Sequence, residues 1–374
     1  MRVLIAPDKF KGSLSALEVC QAIGDGLLQA DPSITSIYHP MADGGDGSLA
    51  AIANHLELNA HDVHTTDPLG RAITGRYYTS SDTAFIEVAS ASGLVLLSEE
   101  ERNPLKATTF GTGKMILDAI NKGIHHIYLF LGGSATNDAG MGIASALGCQ
   151  FLDEDKKELK PNGENLQKVM SLIPGHLSGR KEIKMTLLCD VTNKLYGPTG
   201  AAHVYARQKG ASDVEIEHLD RGLRHFNTIL QSQFELDVDK IPGSGAAGGI
   251  AASLITLFDA KIEKGFDAIS ALTGLEAQIQ ASDIVISGEG KLDIQSLQGK
   301  VVNGIAELCK KHKKPLMLFV GKNSLPQQEI KNLGAMFVYS ITEESRDIED
   351  AISNAAPYLN KMAIQHAYLL AREV

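Results

Sequence analysis

The residues best placed for chemistry lie in short loops that combine glycine with acids or bases. The first, in VLIAPDKFKGSLSA, gathers Asp8, Lys9, Lys11 and Ser13. That set suits an anionic, hydroxylated small molecule, and it also suits a solvated loop leading into a helix cap. Four more loops follow the same plan: MADGGDGS, LGGSATND, LLCDVTN and ISGEGKLD. Consecutive backbone N–H groups at a helix start, with no Cβ in the way, receive phosphate or carboxylate oxygens. Asp and Glu beside them can hold magnesium or take a proton from an attacking hydroxyl. The plainer alternative for each acid is a cap or a surface charge, and Asp46, at a helix start, reads most simply as a cap. Asp43 and Glu289 each sit beside two glycines, which points to close backbone approach to a ligand.

Other motifs narrow the chemistry. Gly243, Gly245 and Gly248 fit GxGxxG and lead into IAASLITLF, but FELDVDKIP ahead of them is a poor strand. A phosphate-contacting or merely close-packed helix start therefore ranks above a dinucleotide fingerprint. GTGKM lacks the first glycine of a P-loop and has Met115 where Ser or Thr should bind magnesium. His125 and His126 face opposite sides of a strand, as do His61 and His64, and there is neither an HExxH motif nor a GxSxG elbow. Zinc and serine-nucleophile chemistry rank low.

The loops need elements to hold them. Residues 3–6 read as a buried strand, followed by a helix over 15–29 that Ser13 or Ser15 can cap, and a strand over 34–41. The DGGDGS turn then opens a helix, giving a βαβα pattern and a parallel sheet. Residues 61–88 change character to two strands joined by Pro68-Leu69-Gly70, then the strand TAFIEV. Next come a helix in ATTFGTGKMILDAINKG, a buried strand in HHIYLFLGG, a hairpin in CQFLDEDKKELKP and a strand in IKMTLLCDV, where Asp190 ends KMTLLCD. After a helix near 213–231 and the glycine- and alanine-rich segment from Gly243, regular strand and helix alternation returns from Asp283. The expected fold class is α/β with two domains. A discontinuous Rossmann-like parallel-sheet domain spans 1–65 and 280–374, and a second α/β domain over 66–279 is inserted in it.

The chain has 374 residues, 44% hydrophobic and 21% charged, enough for about two domains with large cores. Thirty-six glycines, no tryptophan and 5% aromatic residues fit tight βα turns and aliphatic cores. A net charge of -10 disfavours nucleic acid and anionic membrane as partners, so an anionic substrate needs a local positive cluster. Cys20, Cys149, Cys189 and Cys309 stand apart without CxxC spacing, as buried free thiols do in a reducing compartment. With no leader pattern and no long apolar run, a cytoplasmic location is expected.

Taken in order, APDKFKGSLSA, DGGDGS, DPLGR, NPLKATTFGTG, GGSATNDAGMG, GPTGAA, GSGAAGG and GEGKLDIQSLQGK resemble the motif set of the bacterial type-1 glycerate kinase family, over about residues 1 to 370. Ala139 stands where a second glycine often follows the Asp in that family. The resemblance implies two α/β domains with the active site in a cleft that closes over its ligands. It further implies ATP-dependent phosphorylation of D-glycerate with Mg2+, in the breakdown of glyoxylate, glycolate or sugar acids, by a monomer or homodimer. The 2-hydroxyl is favoured as acceptor over the 3-hydroxyl.

On that reading Lys9, Lys11 and Arg71 face the glycerate carboxylate and the transferring phosphoryl group. Ser134, Asn137 and Asp138 face the substrate hydroxyls, and Asp8, Ser13 and Asp43 line the substrate site. Gly243, Gly245, Gly248, Gly288 and Gly290 approach the nucleotide. Asp190 is favoured as base or metal ligand, and Glu289 and Asp293 complete the metal set. Two other classes compete. A nicotinamide-dependent oxidoreductase would explain GSGAAG, and a two-lobed ligand-binding protein without catalysis would explain the discontinuous architecture.

Overall fold

The computed structural model describes residues 1–45, 47–297 and 299–370; Asp46, read above as a cap, lies outside them. Two compact units are formed, one from Met1–Glu57 with Lys264–Val374 and the other from Leu58–Glu263. Compared with boundaries at 65 and 280, the second unit takes in the whole strand Asn59–Thr66, because it pairs along its length with Ala72–Ser80. The first unit takes in the helices Gly265–Thr273 and Leu275–Ala281, which were not read from the sequence.

In the first unit five strands lie in the order Phe337–Ser340, Leu316–Val320, Ile284–Ser287, Arg2–Ile5, Thr35–Tyr38, and every pairing is parallel. Numbered along the unit, the order is 2-1-3-4-5, the flavodoxin-like version of the doubly wound sheet. Its three central strands are nearly continuous apolar runs because both faces are covered. Val3, Ile5, Ile284, Ile286, Met317 and Phe319 pack with the helices Ala16–Ala30 and Ala355–Leu370. On the alternate positions Leu4, Val285, Leu316 and Leu318 are likewise buried. Ser15, not Ser13, caps the first helix: its backbone N–H donates to Glu18 at 2.7 Å while Glu18 N–H donates to the Ser15 hydroxyl at 3.3 Å. A Cβ at Gly26 would stand 2.4 Å from the Asn360 carbonyl, so glycine is what lets these two helices approach.

The second unit is built on a six-stranded sheet in the order Lys261–Glu263, Lys184–Leu188, His126–Phe130, Thr83–Glu87, Ala72–Ser80, Asn59–Thr66. The first four are parallel and the last two antiparallel, with the expected turn at Pro68-Leu69-Gly70. One expectation fails. Gln150–Leu152 pairs with Ser171–Ile173, and only a single bridge from Leu152 to Glu158 remains of the hairpin placed in CQFLDEDKKELKP. The charged run after Leu152 offers nothing to bury, whereas Leu172 supplies an apolar partner for Phe151. Among the described residues no helix is long and apolar enough to cross a membrane, and all four cysteines are buried free thiols.

Candidate functional site

Doubly wound sheets bind ligands beyond the carboxyl ends of their strands, at the point where strand order reverses. In the first unit that point lies between Arg2–Ile5 and Ile284–Ser287, and the loops following them form a pocket of about 680 Å3. Asp8, Lys9, Lys11, Asp43, Glu289 and Lys300 are all on its wall. The loops are stitched together by backbone bonds: Asp8 N–H to the Gly288 carbonyl at 2.9 Å, Gly321 N–H to that of Glu289 at 3.0 Å, and Lys322 N–H to that of Gly290 at 3.0 Å. At Gly288 a Cβ would fall 1.8 Å from the Phe319 carbonyl, so the missing side chain serves the chain's own packing; Gly290 lies on the pocket wall.

The acids of this pocket are under strain from one another. Burial, with Asp43 nearby, pushes Asp8 up to about 7 against the pull of the Lys9 N–H. Burial pushes Glu289 up to about 7 as well, with Asp8 adding to the rise, and its Oε1 has no hydrogen-bond partner among the described residues. Asp293 differs: Lys291 holds it at 2.9 Å and keeps its carboxyl below the usual range. Ser13 is drawn aside, its hydroxyl donating to the Ile352 carbonyl at 2.5 Å, and Asp43 accepts from Gly45 N–H at 3.1 Å.

Among the described residues no group of three His, Cys, Asp or Glu side chains is arranged to hold a metal ion. Of the expected set of Asp190, Glu289 and Asp293, the last two lie on the pocket wall, where Asp293 is paired with Lys291, and Asp190 belongs to the other unit. Asp8 and Glu289, charge-crowded and with an orphaned oxygen, do fit a magnesium ion. Such an ion is commonly held by one or two carboxylates, with water and substrate phosphates supplying the rest.

In the second unit the GGSATND loop leaves the end of His126–Phe130 and turns inward. Asp138 is fully buried and accepts from Thr109 N–H at 2.7 Å, the Thr109 hydroxyl at 2.8 Å, Gly140 N–H at 3.1 Å and Gly142 N–H at 3.2 Å. It staples the loop to the start of the helix Phe110–Asn121 and is not available to a substrate hydroxyl, a correction to the sequence reading. Ala139 adopts φ 54°, the left-handed region that glycine takes without strain. Asn137 is different again. Both its amide atoms and the Thr136 hydroxyl are buried with no partner among the described residues.

Lys209 was missed entirely. Its Nζ donates to the Ser134 hydroxyl at 2.9 Å and the Thr136 carbonyl at 2.8 Å from a wholly buried position. Burial lowers it to about 7, opposed by Asp138. Two acceptors are what a neutral amine with two N–H groups can satisfy; an ammonium carries three. In ARQKGAS nothing distinguishes this lysine from a surface charge.

The GSGAAG turn presses on the neighbouring loops. A Cβ at Gly245 would stand 2.0 Å from the Lys194 carbonyl, one at Gly248 2.1 Å from that of Thr136, and one at Gly243 3.0 Å from that of Val191. These glycines bring LLCDVTN and GGSATND together, and the turn follows the 3-10 segment Val238–Lys240 where a dinucleotide fingerprint needs a strand. Glycine at these three places is required by close packing. Asp190 sits two residues beyond the strand ending at Leu188, half-buried, within this cluster of loops. Arg71, expected to face the substrate's anionic groups, is half exposed and pairs with both Asp67 and Glu101.

A doubly wound sheet with lysines and charge-crowded carboxylates converging beyond its strand ends is the architecture of enzymes that handle small anionic substrates. The family is specified by the whole chain: residues 3–371 match the Glycerate kinase family, to which this protein belongs, and it is a kinase. It is 38% identical to the Glycerate kinase of Bacillus cereus, covering 94% of this chain and 93% of the relative. To the Glycerate 2-kinase of Escherichia coli it is 37% identical, covering 95% and 94%. A crystal structure of a Salmonella typhimurium LT2 protein assigned as glycerate kinase 2 superposes with a TM-score of 0.87 at 36% identity, covering 100% of this chain and 98% of that one. Neither an oxidoreductase nor a non-catalytic binding protein survives these matches.

Proposed function

We propose that this kinase transfers the γ-phosphate of ATP, as its magnesium complex, to the 2-hydroxyl of D-glycerate, in the cytoplasm. One observation carries the reading: the pocket at the sheet's switch point presents Lys9, Lys11 and Lys300 beside Asp8 and Glu289, cations for phosphate and carboxylate oxygens next to acids for a metal ion. Support for the 2-hydroxyl comes from the likeness to the Escherichia coli Glycerate 2-kinase. Asp8 and Glu289 would hold the magnesium ion, which when bound would neutralise charge on the transferring phosphoryl group. Lys9 and Lys11 hold the anionic groups in line, and Ser134 and Asn137 orient the glycerate hydroxyls. Asp190 accepts the proton as the hydroxyl oxygen bonds to the γ-phosphorus and the bond to the ADP oxygen breaks.

The direct test mixes protein, magnesium-ATP and D-glycerate, follows ADP release and identifies the product by phosphorus NMR. A 2-phosphoglycerate resonance is expected; 3-phosphoglycerate would move the acceptor, and no ADP release would reject the donor. Lys9→Ala and Lys11→Ala are each tested the same way. If a lysine grips its anion in ground and transition states alike, KM rises more than kcat falls. Unaltered constants in both variants would show that the first loop is structural.

A further inference from the structure

The pocket has an apolar side that none of the charged residues explains. The short helix Ile348–Ser353 turns Ile348 and Ile352 toward the pocket, one helical turn apart, where they remain 60% and 46% exposed. Ala351, Ala355 and Phe10 continue the same wall. Large aliphatic side chains left in water singly are ordinary, but a pair lining the same pocket as Lys9, Lys11, Lys300 and Lys322 makes an amphiphilic surface.

The wall is also held rigid. Asp347 caps the helix by accepting from Asp350 N–H at 2.8 Å, and the Asp350 carboxylate accepts from Tyr358 at 2.7 Å, Asn354 at 2.8 Å and the Arg346 backbone N–H at 3.0 Å. The bond from Ser13 to the Ile352 carbonyl ties this helix to the very loop that carries Lys9 and Lys11.

We propose that the Ile348–Ile352 face seats the base of a purine nucleoside triphosphate, with its polyphosphate directed at the lysines. This rests on the reading that a nucleotide is the phosphoryl donor. A three-carbon acid has no apolar face for such a wall and would fill little of 680 Å3, whereas a nucleotide has one planar apolar end and one polyanionic end.

The test measures binding of ATP and of inorganic tripolyphosphate, both with magnesium, to the full-length protein and to an Ile348→Ala/Ile352→Ala variant. Truncating two side chains from the base platform should weaken ATP by about 10-fold or more while tripolyphosphate binding stays within about 2-fold. Equal ATP affinity in both proteins would overturn the proposal, and so would equal weakening of ATP and tripolyphosphate. Failure of the wild-type protein to bind ATP at all would instead reject the nucleotide donor, and this inference with it. Photolabelling of the wild-type protein with 8-azido-ATP gives a second measure independent of the variant. Adducts are expected within residues 342–355, and adducts confined to other segments would place the base elsewhere.

Discussion

Stability of the wild-type protein, taken relative to a Lys209→Met variant, is expected to climb as pH rises from about 7 toward 10. The lysine is wholly buried and titrates near 7 in the folded chain, against 10.5 when exposed. Below about 7 both folded and unfolded chains carry the proton, so this group adds no slope. Between about 7 and 10.5 only the unfolded chain carries it, and raising the pH removes the cost of stripping that proton on folding. One proton corresponds to about 1.4 kcal/mol per pH unit at most. The difference between the two proteins in urea unfolding, taken at half-unit steps from pH 6 to 10, isolates this group from every other titration. Parallel curves would mean that Lys209 remains an ammonium in the fold. The variant also loses the bonds to Ser134 and Thr136, so if that loop orients glycerate, its KM for glycerate should rise.

Turnover of an Asp190→Asn variant is expected to fall by ~100-fold or more, the size typical of losing a positioned proton acceptor. Asparagine keeps the shape of the side chain and removes its charge. Because a proton acceptor acts as the hydroxyl attacks, kcat and kcat/KM should fall together with little change in KM. Steady-state kinetics of a variant whose thermal unfolding matches wild type decide the matter. Turnover within a few-fold of wild type would shift the role to another acid, with Asp293 next in line.

Much of the machinery was legible because it is local. Short apolar runs located the strands Arg2–Ile5 and Ile284–Ser287, Ser13 or Ser15 marked a helix start, and Pro68-Leu69-Gly70 marked a hairpin. Asp8, Lys9, Lys11 and Glu289 were found by the same means, since a glycine-containing loop after a buried strand is written in consecutive residues, and the structure gathers all four in one pocket.

What could not be read is whatever depends on partners distant along the chain. Asp138 looks like a loop acid until Thr109 comes to meet it, and nothing near Arg71 in sequence announces its pairing with Glu101. The glycines of GSGAAG resemble a phosphate turn, and only the fold shows that a Cβ at Gly245 or Gly248 would strike the carbonyl of Lys194 or Thr136. Ile348 and Ile352 read as an ordinary helix face, and only the fold sets them beside the lysines. Lys209 marks the limit most plainly. A charge far inside a protein is costly unless the surroundings supply acceptors or remove the proton. Those surroundings come from residues 134–138, more than seventy positions away in sequence. Periodicity and capping are short-range and specify elements; burial, and the company each side chain keeps, belong to the assembled fold.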